Sequence, residues 1–303
     1  MFLLPACDSF GQICKEWGEA QVVGKLDHNT IDEASGIAVS GKNSNVLYHV
    51  NDSGNGPYFY TTRIDGSETK KLLIKGPHSI RSDFEDMTIG PCYTKTCLFI
   101  ADIGDNLKSR NTIKIIVIEE NDKYRSEVTP LKIVNLSYPD RPHNAESLAI
   151  HTNGDLFIIT KEENYKRQKS FPSKIYRIKK NKWETAGAKP LALEYIGTLD
   201  IELINSDSRG FLDNIITSFD ISHDGKKFLV LTYQDAYEFN IDLSKANANG
   251  FSGLIAGKHY NTIKLIRLPQ QESITYLPGS KSFIYNTEYK AITPKLIRVD
   301  CLK

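Results

Sequence analysis

The run Glu146-Ser147-Leu148-Ala149-Ile150-His151-Thr152-Asn153-Gly154-Asp155-Leu156-Phe157-Ile158-Ile159-Thr160 carries the pattern on which the fold turns. A polar pair opens a short apolar strand. Asn153-Gly154 then supplies a hairpin signal, because these residue types tolerate the positive φ that a tight hairpin turn needs. An uninterrupted apolar strand follows, as expected where a strand is buried on both faces.

Working outward, the same series occurs five times. First strands begin at Glu33-Ala34-Ser35-Gly36-Ile37, Glu85-Asp86-Met87-Thr88-Ile89, Glu146-Ser147-Leu148, Thr217-Ser218-Phe219-Asp220-Ile221 and Glu272-Ser273-Ile274-Thr275-Tyr276. Successive starts lie 52, 61, 71 and 55 residues apart, a spacing that suits a four-stranded unit with variable loops. Apolar second strands follow at Val46–Val50, Leu98–Ala101, Leu156–Thr160, Phe228–Thr232 and Ser282–Tyr285. Third strands are expected at Tyr58–Ile64, Ile113–Ile118, Lys174–Ile178, Ala236–Ile241 and Lys295–Val299. Fourth strands are expected at Lys71–Ile74, Leu131–Leu136, Leu193–Leu199 and Thr262–Leu268.

The fifth unit reaches Cys301 without a fourth strand, and Gln21–Leu26 from the other end of the chain can supply it. The expected fold is therefore all-β: a five-bladed β-propeller of four-stranded blades, closed by the N-terminal strand, with six blades as the alternative. Closure removes the open sheet edges that would invite aggregation. Residues 20–303 form the propeller in this reading, and 1–19 form a tail. The ring is expected to be a monomer.

The chain has 303 residues and 38 Lys and Arg against 37 Asp and Glu, a formal charge of +1. That balance gives no electrostatic case for a nucleic-acid partner. No apolar run approaches the roughly 20 residues of a membrane-spanning helix. The opening Met1-Phe2-Leu3-Leu4-Pro5-Ala6-Cys7 resembles the end of a bacterial lipoprotein signal peptide, although it lacks the basic region. A lipid on Cys7 would be the one route to a membrane. Cys92 and Cys97 flank a hairpin turn and are expected to pair, since no second Cys/His pair stands nearby to make a zinc site. Ring closure brings Cys14 towards Cys301. Two disulfides and a lipidated Cys7 fit an exported bacterial protein, whether periplasmic, envelope-anchored or secreted.

In a propeller, the starts of the innermost strands gather in one ring about the axis. Here that ring is read as Glu33, Glu85, Glu146, Ser218 and Glu272. Clustered carboxylates need a counter-charge, and calcium, which takes 6–8 oxygen ligands, suits them. The loops after the second strands open on the same face. They bring Asp52, Asp102, Asp105, Asn106, Lys161 and Glu288, and the loops between blades add Arg81, Arg141 and His143. Asp52 and Glu288 are candidate general bases for a metal-bound water. Arg81, Arg141, His143, Asp102, Asp105, Asn106 and Lys161 are candidates for holding a small anionic ligand. Motifs for serine hydrolases, zinc proteases, P-loops and dinucleotide sites are absent from the sequence.

Two resemblances follow from these runs. Glu33–Ala38, Asn51–Gly54, Asp83–Met87, Leu98–Asn106, Asn144–Leu148 and Thr160–Glu162 resemble a widespread group of exported bacterial propellers, which implies export and the fold but no activity. The ring order Glu, Glu, Glu, Ser, Glu is similar to that of the calcium-activated nucleotidases (apyrases), which are five-bladed with axial calcium. That likeness implies calcium on Glu33, Glu85, Glu146, Ser218 and Glu272. This chain has Ser53-Gly54 where those enzymes carry a basic residue, and it lacks their long insertions. The expectation is a calcium-binding propeller, as a hydrolase of a phosphate ester or other anionic substrate. The alternatives are a non-catalytic propeller that binds a ligand, glycan or protein, and a lactonase-like hydrolase.

Overall fold

The computed structural model describes residues 13–52, 54–76, 82–247, 251–289 and 292–303. Five antiparallel four-stranded sheets succeed one another along the chain. Blade one comprises Ala34–Val39, Val46–Asn51, Tyr58–Arg63 and Lys70–Ile74. Blade two comprises Phe84–Cys92, Lys95–Asp102, Ile113–Glu119 and Lys132–Ser137. Blade three comprises Ala145–Ile150, Leu156–Thr160, Ser173–Ile178 and Glu194–Leu199. Blade four comprises Ile216–Ile221, Phe228–Thr232, Ala236–Phe239 and Tyr260–Ile263. Blade five comprises Gln271–Tyr276, Ser282–Thr287 and Lys295–Asp300, and Gln21–Lys25 completes it antiparallel to Lys295–Asp300. The ring has five blades.

The outermost strand of blade four ends at Ile263, short of the expected Leu268, and its neighbour ends at Phe239 rather than Ile241. Two edges carry short parallel additions: Glu127–Val128 on Lys70–Ile74 and Leu191–Ala192 on Lys132–Ser137. Such additions cover backbone groups that an edge would otherwise expose.

The innermost strands of blades one, three and five are buried along their whole length, with Glu146 and Gln271-Glu272 as their buried polar openings. Apolar clusters fill the seams. In one, Phe99, Ile115 and Val134 of blade two meet Leu148, Ile158 and Tyr176 of blade three. Two aspartates, the buried Asp86 and the partly buried Asp220, tie inner strands together across seams. Asp86 accepts from the Leu148 N–H of the next blade (3.0 Å) and from Ser218 Oγ two blades on (3.1 Å). Asp220 accepts from the Tyr276 N–H (2.8 Å) and Thr275 Oγ1 (3.1 Å).

Cys14 and Cys301 form a disulfide beside the borrowed strand, and Cys92 and Cys97 form a second within the hairpin of blade two. Both pairings agree with the sequence reading. They point to an oxidising environment outside the cytoplasm. Among the described residues, no helix is long and apolar enough to cross a membrane. Cys7 and Arg81 lie outside the described residues.

Candidate functional site at the top of the axis

Each innermost strand opens with the same irregularity. Its first residue pairs with the second strand, one residue is then skipped, and pairing resumes. The skipped residues are Ser35, Glu85, Glu146, Thr217 and Glu272. A β-bulge of this kind re-aims one side chain and commonly sits beside a functional site. The structural ring therefore contains three of the five residues read from the sequence. Glu33 stands two positions before the bulge, where it accepts from Asn55 Nδ2 (2.5 Å). Ser218 stands one position after it, deeper on the axis, where its hydroxyl meets Asp86 and accepts from the Ile274 N–H (3.3 Å).

The residues that immediately follow the second strands form a layer next to this ring: Asp52, Ile103, Lys161, Tyr233 and Glu288. Lys161 is buried. Its ammonium lies 3.0 Å from Glu146 Oε1 and 3.0 Å from the Tyr233 hydroxyl. Burial opposes the Lys161 charge, yet Glu146, Tyr233 and Glu272 hold it well above the ordinary lysine range. Glu272 is pushed well up by burial and by Glu146 and Glu288, against the pull of Lys161. Gln270 Nε2 donates to Glu272 Oε1 (3.0 Å) and to Glu288 Oε2 (3.4 Å), so Glu288 stands at the edge of the same cluster.

A second focus lies between blades one and two. Carboxylate oxygens of Asp52, Asp83 and Glu85 all fall within 4.8 Å of one another. Asp52 is in hydrogen-bond contact with the Asp83 carboxyl, an arrangement that needs a shared proton or a cation. Asp83 Oδ1 is buried and has no hydrogen-bond partner among the described residues. Burial raises Asp83, against the pull of Arg110. Burial, then Glu146, Asp52 and Asp83, push Glu85 well above the usual carboxylate range.

Gly104 forms the wall of this cradle. A Cβ there would stand 2.1 Å from Glu85 Oε1 and 2.5 Å from Asp83 Cγ, so only glycine admits the carboxylates. Arg110 pins the wall: Nη1 donates to the Gly104 carbonyl (2.7 Å) and Nη2 to Asp102 Oδ1 (2.7 Å). Asp102 in turn accepts from the Asp83 N–H (3.1 Å). Asp105 accepts from the Arg110 N–H (2.6 Å) and its own N–H donates to Asn144 Oδ1 (2.8 Å). Asn144 Nδ2 donates to Asn106 Oδ1 and to Glu146 Oε1, each at 3.2 Å. Asp102 and Asp105 are buried and hold the loop in shape, while Asn106 is exposed on its outer side.

His143 is fully buried. Its Nδ1 meets Glu162 Oε1 (2.5 Å), and its Nε2 meets Asp140 (3.1 Å) and the Tyr176 hydroxyl (3.1 Å). Arg141 is half-exposed and lies 3.5 Å from Glu162. Of this pair, only Arg141 offers an open cation at the rim.

The sequence reading assigned no binding or catalytic role to Asp83, Asn144, Arg110, Glu162 and Tyr233. Asp83 and Asn144 directly precede Phe84 and Ala145, where the first strands open, and Glu162 follows Lys161; those adjacencies were the available signals.

No family model matches the chain, and no curated protein matches its sequence. Solved structures do match its fold. The allergen Mala s 1 of Malassezia sympodialis aligns at 12% identity over 93% of this chain and 96% of its own, with a TM-score of 0.55. A Thermus thermophilus protein described as an oxidoreductase (glucose dehydrogenase) aligns at 9% identity over 94% and 100%, with a TM-score of 0.52. Another glucose dehydrogenase aligns at 12% over 93% and 99%, with a TM-score of 0.51. At such identities the likeness extends to the fold alone.

Proposed function

We propose that this chain is an exported β-propeller whose top face binds a divalent cation, calcium by its all-oxygen donor set, and hydrolyses a small anionic substrate there. The observation that carries this reading is the cradle: Asp52, Asp83 and Glu85 converge, with an unpartnered Asp83 oxygen and a glycine wall that leaves room for nothing larger. The residues fit the group. Carboxylates are hard oxygen donors, and among the described residues no His or Cys joins them. In this reading the cation would lie between blades one and two, on Asp52, Asp83 and Glu85, rather than on all five residues of the ring.

A cation held there would polarise a phosphoryl or carbonyl oxygen. In this reading Glu288, at the edge of the axial cluster, would take a proton from a water, and Asp52 becomes a ligand. Arg141 and the partly exposed Lys108 steer an anion towards the face. A glycan- or protein-binding role is the second reading. It is favoured by the exposed Leu107, Tyr165, Phe171, Leu212 and Tyr289 on top-face loops, side chains typical of a recognition surface.

The test is thermal unfolding of chelated protein with and without calcium. Binding should raise the melting temperature by about 2–4 °C at saturating calcium. Asp83→Asn should abolish that rise. Without calcium the same change should leave stability equal or higher, since it removes a charge from three crowded carboxyls. An unchanged melting temperature in the parent protein overturns the cation site. If calcium binds, a screen of phosphate esters and lactones, with Glu288→Gln as control, separates hydrolase from binder.

A further inference from the structure

The axis of this propeller already holds a cation, and it belongs to the chain. Lys161 enters from the loop after the second strand of blade three. Its ammonium sits among Glu146 of its own blade, Tyr233 of blade four and, within electrostatic reach, Glu272 of blade five. Three features separate this from an ordinary surface ion pair. Lys161, Glu146 and Glu272 are all buried, so the charges are little screened. The two direct contacts come from blades three and four, and Glu272 of blade five lies within electrostatic reach, so charge converges on the ammonium from three blades. The ammonium also lies over the Tyr233 ring at 5.4 Å while touching its hydroxyl, which fixes the position of its head.

We propose that Lys161 is the resident cation of the axial site: its ammonium joins blades three, four and five as a bound metal ion would, and so keeps free divalent ions off the axis. Charge and geometry agree on this. A carboxylate cluster open to solvent would draw a divalent ion. Here a tethered charge, at an effective concentration no free ion reaches, occupies the point where Glu146 and Tyr233 converge. Lys161 is then a positioning residue with its donors engaged, and a substrate anion would have to displace Glu146 to reach it. The proposal shares no contact residue with the cradle, which lies between blades one and two, although Glu146 and Lys161 act on Glu85 through space.

The consequence is that removing the ammonium should uncover a metal site. Lys161→Met keeps most of the side-chain volume and deletes the charge. The full chain would be titrated with calcium by calorimetry, and with terbium by tyrosine-sensitised luminescence, in parent and variant. The variant should bind one more ion per chain than the parent, whatever number the parent binds. The added terbium emission should be lost when Tyr233→Phe or Glu146→Gln is combined with Lys161→Met. A folded variant with the parent's stoichiometry overturns the proposal. So does a parent protein whose own terbium signal depends on Tyr233. Should Lys161→Met unfold in chelator, millimolar calcium should restore the parent's melting temperature and potassium chloride of equal ionic strength should not; failure of that rescue also overturns it. Failure of the cradle would appear separately, as a parent that binds no ion beside a variant that binds one.

Discussion

At the scale of single residues, Asp220 gives a pH dependence with a definite sign. Its carboxyl lines a cavity of about 150 Å³ at the far end of the axis, where inner-strand ends from all five blades meet. Burial pushes it up to about 6, despite the backbone hydrogen bond from Tyr276 and the neighbouring His223. A carboxyl raised on folding favours the native state below its unfolded value, near 3.8, and that contribution is lost as pH rises through 6. The shift corresponds to about 1–2 kcal/mol after allowance for water in the cavity. Asp220→Asn keeps an acceptor for the Tyr276 N–H and cannot ionise. Urea denaturation at pH 4 and pH 7 should show a smaller loss of stability across that interval in the variant than in the parent. Equal losses would show that Asp220 does not titrate in this window.

At the scale of elements, the loop 102–110 shows how a turn can shape a site it does not join. Arg110 closes it by gripping Gly104 and Asp102, and Asp102 passes the constraint to the Asp83 backbone. Arg110→Lys, which keeps a charge beside the buried Asp102 but loses the fork that also grips the Gly104 carbonyl, should therefore weaken calcium binding by about tenfold, in the range seen when a residue that supports a metal ligand is lost. Thermal unfolding in chelator should change little beside the loss of calcium response. If the two fall together, Arg110 serves only the fold. Much of this element was legible. Turn residues and an apolar second strand recur in every blade, because each blade must solve the same burial problem with its own segment. The ring itself was legible only in part. Glu33 opens its unit in the sequence as Glu85 opens another, but the pairing of Ala34 with Asn51 puts Ser35, not Glu33, in the bulge. Register is decided by which backbone groups pair, and residue type at the strand start does not report it. The Asp86–Ser218 contact spans 132 positions, and no local pattern announces a bond of that length.

At the scale of the whole molecule, the near-zero net charge conceals a carboxylate-rich axis that the chain neutralises partly from within, and closure of the ring depends on joining its ends. The Cys14–Cys301 disulfide and a set of non-covalent contacts hold that junction. Gln21–Lys25 pairs with Lys295–Asp300, Trp17 packs edge-on against Phe283 at 5.0 Å, and the buried Glu238 accepts from the Cys14 N–H (2.7 Å) while pairing with Lys227 (2.6 Å). Only the disulfide persists when the chain unfolds. Cys14 and Cys301 are 287 positions apart, whereas Cys92 and Cys97 are 5 apart. Loop-closure entropy then assigns about 6 kcal/mol to the first and about 2 kcal/mol to the second, both as upper values. The unequal loops make the expectation a ranking. Cys14→Ser with Cys301→Ser should lower the urea midpoint more than Cys92→Ser with Cys97→Ser, and reductant should bring the parent to the level of the fourfold variant. The reverse order would mean that the strand and Glu238 close the ring unaided, and that the terminal disulfide adds little to what the sheet already holds.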